Sequence, residues 1–227
     1  MKLNPKVSNI LKLLIENNVY AASYLDIGSG GGELTQQLAK AIRARQYFCL
    51  DIDASALRKA TSRGCISYRL NLEYDKFPFE SDFFDLITAF DIIEHLRNPD
   101  NMLRESYRVL KRGGFLLLTT PNIASWYNRL LLLFGEPPLG IDLSTEWRYH
   151  YPFGVKGVIS GHVRMYTIKS IVGLLEYHRF KVMICKGFAQ IWSKTKPKGF
   201  LKIVFTLDKM LSKYSKLAPN ILILARK

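Results

Sequence analysis

The chain has few cysteines and no long apolar run. Three cysteines in 227 residues, odd in number and scattered, argue against a disulfide framework and against a cysteine-rich metal site. The N-terminus lacks the apolar core of a signal peptide, and no stretch approaches the roughly 18 apolar residues that a membrane-spanning helix needs. We therefore expect a cytoplasmic protein without a transmembrane helix.

Acidic residues are scarce relative to basic ones. Lys and Arg total 33 against 19 Asp and Glu, which gives a formal net charge of +14. Such an excess is typical of proteins that meet nucleic acid, an anionic membrane surface or an anionic substrate, and it also serves solubility. The length and the 48% hydrophobic content favour a single domain over residues 1–227.

A glycine-rich turn is the strongest local signal. Residues 24–27 are mostly apolar, glycines follow at 28, 30 and 32, and helical periodicity begins at Leu34. Strand, glycine turn and helix in this order let a ligand approach the main chain at a helix N-terminus. The spacing is not the G-x-G-x-x-G of dinucleotide sites, because position 33 is glutamate.

The acidic residues around this turn indicate which ligand it suits. Asp26 and Glu33 flank the glycines, and they would repel a pyrophosphate but suit a ligand with a cationic amino-acid end. Asp51 closes the next predicted strand, where a carboxylate accepts both hydroxyls of a ribose. Adenosine joined to a cationic amino acid describes S-adenosylmethionine. A tight turn with a purely structural role is the alternative.

Two segments, LDIGSGGGELTQQLA from Leu25 and CLDIDASAL from Cys49, resemble the first two motifs of class I S-adenosylmethionine-dependent methyltransferases. The resemblance continues to about residue 122, and the later segment 162–167 is similar to the ubiquinone/menaquinone-biosynthesis type (the type 11/23 small-molecule group). It implies S-adenosylmethionine as cofactor. Alternating predicted strands and helices agree with the implied fold, a doubly wound, mostly parallel, seven-stranded Rossmann-like α/β sheet with an inserted lid.

The resemblance also implies cofactor contacts at the ends of the strands. These are Asp26, Gly28, Ser29, Gly30, Gly32, Asp51, Ile52, Asn71, Leu72, Phe90 and His95. Asn71 departs from the family pattern, in which aspartate is common, although an amide oxygen also accepts a hydrogen bond from an adenine amino group. The alternative for Asn71 is a turn-forming residue.

Methyl transfer to an alcohol or phenol needs a proton acceptor beside the nucleophile. Of four histidines, His95 ranks first as base or substrate contact because it follows the predicted fourth strand, and His162 ranks second. A polar cap of the next helix is the alternative for His95. We expect no metal, although Asp91, Glu94 and His95 resemble a segment that holds a divalent cation in some ubiquinone-type O-methyltransferases.

Residues 123–160 are rich in aromatic residues and proline, and a connection of this length predicts a lid over the active site. Trp126 and Tyr149 within it are candidate substrate contacts. Arg164, beyond it, has paired donors that suit a carboxylate or phosphate. A plain surface subdomain and a surface ion pair are the respective alternatives.

Together these features predict a methyltransferase that modifies a small-molecule or lipid-linked acceptor, most readily at oxygen. The basic charge keeps an RNA methyltransferase as an alternative, although no recognisable RNA-binding module is present. A cofactor-binding partner protein without turnover is another. The basic amphipathic stretch 200–216 and the lid could make peripheral contact with an anionic membrane, unless the apolar face of that stretch simply covers the sheet.

Overall fold

A computed structural model describes residues 5–17, 19–152, 156–189 and 200–227, without the side chains of 5–9 and 200–205. The helices are α1 (Pro5–Glu16), α2 (Glu33–Ala41), α3 (Ala54–Ser62), α4 (Pro99–Val109), α5 (Trp126–Leu133), α6 (Ile168–Tyr177) and α7 (Phe200–Leu211). The strands are β1 (Ser23–Ile27), β2 (Gln46–Asp51), β3 (Ile66–Arg69), β4 (Phe84–Phe90), β5 (Leu110–Pro121), β6 (Lys181–Phe188) and β7 (Asn220–Arg226).

These strands form one sheet in the order β3-β2-β1-β4-β5-β7-β6. The first five are parallel, and β7 runs antiparallel between β5 and β6. The predicted doubly wound, mostly parallel seven-stranded sheet is confirmed. Strand order reverses between β1 and β4, and ligands of such sheets bind in the crevice at the carboxyl ends of the strands on either side of this point.

The core consists of two apolar layers, one on each face of the sheet. Successive strand residues alternate between them, so that Leu117 packs in one layer while its neighbours Leu116 and Leu118 pack in the other. This alternation follows from the two-residue period of a strand. Both faces are therefore covered, as expected for a parallel sheet.

The spacing of Val7, Ile10, Leu11, Leu14 and Ile15 predicts one buried stripe on a helix over residues 5–19, and helix α1 follows this pattern only in part. Ile10, Leu13 and Leu14 are buried, whereas Ile15, which we predicted to lie on the apolar stripe, is 73% exposed. Positions 10, 13 and 14 share one face at helical spacing, and position 15 is turned roughly 100° away from position 14. Val7 of the same predicted stripe lies among the side chains that are not described.

Strand β5 begins earlier than the sequence predicts. Gly113 and Gly114 predict the end of the helix that begins at Pro99, with a strand from Phe115 to Thr119 after them, but both glycines lie within β5, which starts at Leu110. Gly113 has φ +80°, and the pairing of β4 with β5 shifts register between Phe84 and Leu86. An irregularity that glycine tolerates therefore bends the strand instead of separating it from the helix.

One disulfide is present, although the scattered cysteines argued against a disulfide framework. Cys49 and Cys65 are bonded, with their Cα atoms 6.0 Å apart, and Cys185 is free. Cys49 lies in β2 and Cys65 directly precedes β3, and these two strands are neighbours in the sheet. The chain returns through α3 and brings the two cysteines together, a consequence of topology that spacing alone does not reveal.

Within the described ranges, no helix has both the length and the apolar character required to cross a membrane.

Candidate active site

The glycine turn between β1 and α2 is held by the neighbouring strand. The Gly28 and Ser29 amides both donate to the Leu50 carbonyl, at 2.8 and 3.2 Å. Gly28, Gly30 and Gly32 all have positive φ, between +52° and +72°, in the region that favours glycine. The backbone of this turn therefore requires glycine at the three positions that the sequence indicates.

The three glycines face different surroundings. A methyl group added at Gly28 would lie 2.7 Å from Ile92 Cγ1, and one at Gly32 would lie 2.8 Å from Ala60 Cβ. Among the described residues, one at Gly30 would meet no atom within 4 Å. Gly28 and Gly32 are thus required for internal packing, while Gly30 borders open space that a ligand can enter.

Asp51, at the end of β2, is tied directly to this turn. Its Oδ2 accepts a hydrogen bond from the Gly30 amide at 2.8 Å, and its Oδ1 accepts one from the Asp53 amide at 2.9 Å. A carboxylate has further lone pairs, which leaves acceptor capacity for ribose hydroxyls. Ile52 beside it is 58% exposed, an apolar surface next to the cradle. These residues fit a nucleoside ligand.

Asp26 lies beneath the turn and is only 3% exposed. Its carboxylate accepts hydrogen bonds from Thr35 Oγ1 of α2 at 2.5 Å and Thr88 Oγ1 of β4 at 2.6 Å. Burial and the Asp26 charge raise the pKa of Tyr24 well above its ordinary value. Asp26 thus joins three elements around the turn, and its contact with the cofactor stays a prediction.

Asn71 adopts the turn-forming role that we gave as its alternative. Its side-chain Oδ1 accepts a hydrogen bond from the backbone amide of Glu73 at 2.9 Å, and the backbone amide of Asn71 donates to Asp75 Oδ2 at 2.6 Å. The neighbouring Leu72 is buried, and its carbonyl accepts from Asn101 Nδ2. The adenine contacts of Asn71 and Leu72 stay predictions.

Beyond the end of β4, the chain turns through Asp91 and Ile92 into a short 3₁₀ helix that contains Glu94 and His95. Asp91 has φ +50°, and its Oδ1 accepts from Thr119 Oγ1 at 2.7 Å. Ile92 packs under Gly28. The geometry thus joins this segment to the glycine turn, and Phe90, at the end of β4, lies half-buried beside it.

Glu94 is 1% exposed. Its Oε2 accepts from Thr120 Oγ1 at 3.0 Å, while its Oε1 has no hydrogen-bond partner among the described residues. Burial raises the pKa of Glu94 to about 7, and the Asp91 charge adds to the effect. A buried carboxyl group that titrates near neutrality, in a crevice, is typical of functional sites.

The structure brings His95 and His162 together, with ring centroids 4.9 Å apart. His95 Nδ1 lies 3.1 Å from the Gly161 carbonyl, and His162 Nδ1 lies 2.8 Å from the Gly140 carbonyl. A carbonyl only accepts, so Nδ1 of each ring donates, and Nε2 of each neutral ring is left as the proton acceptor. Two candidate bases therefore share one location.

The candidate metal ligands are grouped differently from our expectation. One ligand atom each from Glu94, His95 and His162 lies within 4.8 Å of the others, while Asp91 bonds Thr119 instead. His162 replaces Asp91 in the trio because the chain returns to the end of β4 only after residue 160. The favoured expectation of no metal stays a prediction.

Asp142 organises the loop that carries His162, and we refer to these contacts as the Asp142 clamp. Its carboxylate accepts from the amides of Ser160, Gly161 and His162 and from the Ser160 hydroxyl, at 2.5 to 3.2 Å. Burial alone would raise the pKa of Asp142, but these amide hydrogen bonds outweigh it and the pKa is lowered. Sequence reasoning missed Asp142, because its partners lie 18 to 20 residues away.

The predicted substrate contacts all have partners within the protein. Trp126 Nε1 donates to Asp208 Oδ1 at 2.9 Å, and the Tyr149 hydroxyl donates to Glu136 Oε2 at 2.6 Å. Arg164 Nη2 donates to the Arg97 carbonyl at 2.6 Å. These bonds position Trp126 and Tyr149 in the 123–160 segment and Arg164 beside the 3₁₀ turn, and contact with substrate stays a prediction for each.

Comparison with known proteins agrees with this site. Residues 25–118 match a family model described as a methyltransferase domain. The chain is 31% identical over 134 residues to the mitochondrial ubiquinone biosynthesis O-methyltransferase of Candida albicans, a match that covers 55% of this chain and 40% of that protein. It is 32% identical over 101 residues to the ubiquinone/menaquinone biosynthesis C-methyltransferase of Vibrio vulnificus, covering 41% and 39%. The chain thus matches about two fifths of the length of each relative.

A solved structure shows the same fold over nearly the whole chain. The S-adenosylmethionine-dependent methyltransferase of Thermotoga maritima superposes with a TM-score of 0.64 and 16% identity, over 98% of this chain and 89% of that one. At this identity the likeness speaks for the fold alone. The glycine cradle tied to Asp51, the strand order and the family match converge on one conclusion. The chain resembles the class I S-adenosylmethionine-dependent methyltransferases, in particular the ubiquinone-biosynthesis type, and its glycine cradle with Asp51 fits S-adenosylmethionine as the cofactor.

Proposed function

We propose that this protein transfers a methyl group from S-adenosylmethionine to a hydroxyl oxygen of a small-molecule or lipid-linked acceptor. The observation that carries the proposal is the pair formed by His95 and His162, whose rings meet beside a buried Glu94 at the carboxyl end of β4. Relatives act at oxygen in one case and at carbon in another. A base beside the acceptor favours oxygen, because a hydroxyl must lose its proton on methylation.

Each group has a distinct part in this proposal. S-adenosylmethionine, when bound, supplies an electrophilic methyl group on a positively charged sulfur. The open face of Gly30 and the carboxylate of Asp51 hold the nucleoside part. His95 Nε2 takes the proton from the hydroxyl group of the substrate, because Nδ1 of the same ring donates to the Gly161 carbonyl. His162 and the ionised form of Glu94 stabilise the imidazolium that results, since their polar atoms lie within 4.8 Å.

The 123–160 segment supports the proposal as a lid. It contains an edge-to-face series of aromatic rings formed by Trp147, Tyr149 and Tyr151, with centroids 5.8 and 4.9 Å apart. Through the Asp142 clamp and the Gly140 carbonyl it also holds His162. Such a lid excludes water and also positions the ring of His162. Its closure over a substrate therefore acts directly on the pair of histidines that supplies the base.

The test is methyl transfer from labelled S-adenosylmethionine to a host lipid and metabolite extract. We expect labelled product with the wild type and a loss of at least about a hundredfold in kcat/KM for His95→Ala, the scale of general base catalysis. His150→Ala is the matched control, because His150 is an exposed lid histidine outside the pair. A chelator should leave the rate unchanged if no metal participates.

Two results would redirect the assignment. Cofactor binding by calorimetry without transfer to any extract would favour the non-catalytic partner protein. Steeply salt-dependent RNA binding with methylation of RNA would favour the nucleic-acid alternative. We propose a cytoplasmic location with peripheral membrane contact, which fits a lipid-linked acceptor.

A further inference from the structure

The end of helix α5 exposes an unusual amount of apolar surface. Leu132, Leu133 and Phe134 are consecutive and are 57, 75 and 78% exposed. Of the eight residues of α5, only Asn128, a polar residue, is buried. Single exposed apolar residues are ordinary, but a contiguous apolar tip marks a contact surface.

Helix α5 is anchored to α7, which also exposes apolar side chains near its end. Trp126 Nε1 donates to Asp208 Oδ1, and the Trp126 amide donates to the Leu217 carbonyl at 2.9 Å. Next to these anchors, Met210 is 50% and Tyr214 is 64% exposed. We call the exposed residues at these two helix ends the α5–α7 patch; they are Leu130, Leu132, Leu133, Phe134, Met210 and Tyr214.

Exposed cations lie around this patch. Arg129, Lys209, Lys213 and Lys216 are all exposed, and Arg129 Nη2 reaches the Lys216 carbonyl at 3.5 Å. The sequence of α5, α7 and the turn after α7 contains one acid, Asp208, which is buried and accepts from Trp126. The charge at the patch is therefore strongly positive.

This combination identifies the partner by its chemistry. An apolar tip bordered by Lys and Arg suits an anionic bilayer, in which apolar side chains enter the acyl boundary and cations meet the headgroups. A second copy of the chain is a poorer occupant, because a two-fold contact places the same patch, and the same lysines, against each other. Like charges directly opposed in this way cost binding energy.

We propose that the α5–α7 patch docks on an anionic lipid surface. This docking proposal rests on the proposed function in one respect only: docking gives the enzyme access to a lipid-linked acceptor. The structure links the two: the side-chain amide of Asn128 exchanges two hydrogen bonds with the backbone of Leu139, next to the Gly140 carbonyl that accepts from His162. Docking of α5 therefore acts, through Asn128 and Leu139, on the loop that holds His162.

The experiment is co-sedimentation of the full chain with phosphatidylcholine vesicles, with and without about one third phosphatidylglycerol. We expect binding to the anionic vesicles at low salt that weakens as salt rises. Leu133→Ser with Phe134→Ser should reduce partitioning at least about tenfold, since two exposed apolar side chains lose their insertion. Lys213→Gln with Lys216→Gln should reduce it roughly twenty-five-fold, at about fivefold per lysine. Tyr177→Ser, which removes an equally exposed aromatic ring (79%) at the end of α6, is the control and should bind as the wild type.

Three outcomes would overturn the proposal. The wild type fails to sediment with anionic vesicles at low salt, the patch variants bind as the wild type does, or light scattering shows a dimer that the patch variants lose. Transfer to a water-soluble acceptor is measured on the same preparations, and retained transfer shows that the variants fold. Loss of vesicle binding with retained transfer isolates the docking surface. Vesicle binding without transfer to any acceptor would instead contradict the proposed function and leave the docking surface standing.

Discussion

Substitution of the glycines in the turn tests whether the open space over Gly30 receives the cofactor. Gly28→Ala places a methyl group at φ +67° and 2.7 Å from Ile92 Cγ1. The left-handed backbone costs alanine about 1 to 2 kcal/mol, and overpacking against the half-buried Ile92 costs about 1 to 3 kcal/mol more. We expect a loss of roughly 2 to 5 kcal/mol in the free energy of unfolding.

Two other glycines separate these contributions. Gly135→Ala has a similar φ of +75° and would meet no atom of the described chain within 4 Å, so its loss should be the backbone cost of about 1 to 2 kcal/mol alone. Gly30→Ala likewise meets no atom of the described residues and should cost a similar amount of stability. It should nevertheless weaken S-adenosylmethionine binding at least about tenfold, because its methyl group fills the space left for the ligand.

Denaturant unfolding and calorimetric titration of the cofactor measure the two effects separately. Ile92→Ala removes the two side-chain atoms nearest to the new methyl group, so the double variant with Gly28→Ala should recover about 1 to 3 kcal/mol as a coupling energy. The reasoning is refuted if Gly28→Ala costs no more than Gly135→Ala, or if Gly30→Ala binds the cofactor as tightly as the wild type.

Three further predictions concern single features of the structure. Asp142→Asn, which removes the charge from the Asp142 clamp, should lower kcat/KM roughly tenfold through about 1 to 2 kcal/mol of lost loop order; wild-type kinetics would contradict a role in positioning. Glu94 has its pKa raised to about 7 by burial, so the folded state binds the proton more tightly and stability should fall as pH rises from about 4.5 to about 7, by up to roughly 3 kcal/mol. The free energy of unfolding of Glu94→Gln should lack this pH dependence. A pH profile of the variant that runs parallel to that of the wild type would show that another group is responsible. Cys49 and Cys65 close a 16-residue span, so reduction should cost about 3 kcal/mol, and thiol titration of the unreduced, unfolded chain should find Cys185 alone.

The sequence alone determined the layered fold and the cofactor turn. The apolar run at residues 115–118 of β5 and the glycines at 28, 30 and 32 are local signals, because each depends on neighbours a few residues away. Asp51 was found in the same way, at the end of a recognisable strand. The same local reasoning misjudged Ile15 and the start of β5, where packing and a strand irregularity overrode the simple pattern.

Tertiary structure alone decided the chemistry at the end of β4. His95 and His162 are 67 positions apart, and only the return of the chain past the Asp142 clamp brings their rings to 4.9 Å. The disulfide of Cys49 with Cys65 depends on β2 and β3 being neighbours. Contacts of this kind leave no periodic trace in the sequence, because they arise from loop closure and packing between distant segments. The buried Glu94, whose Oε1 has no hydrogen-bond partner in the described part of the chain, belongs with them, since burial is a property of the whole fold.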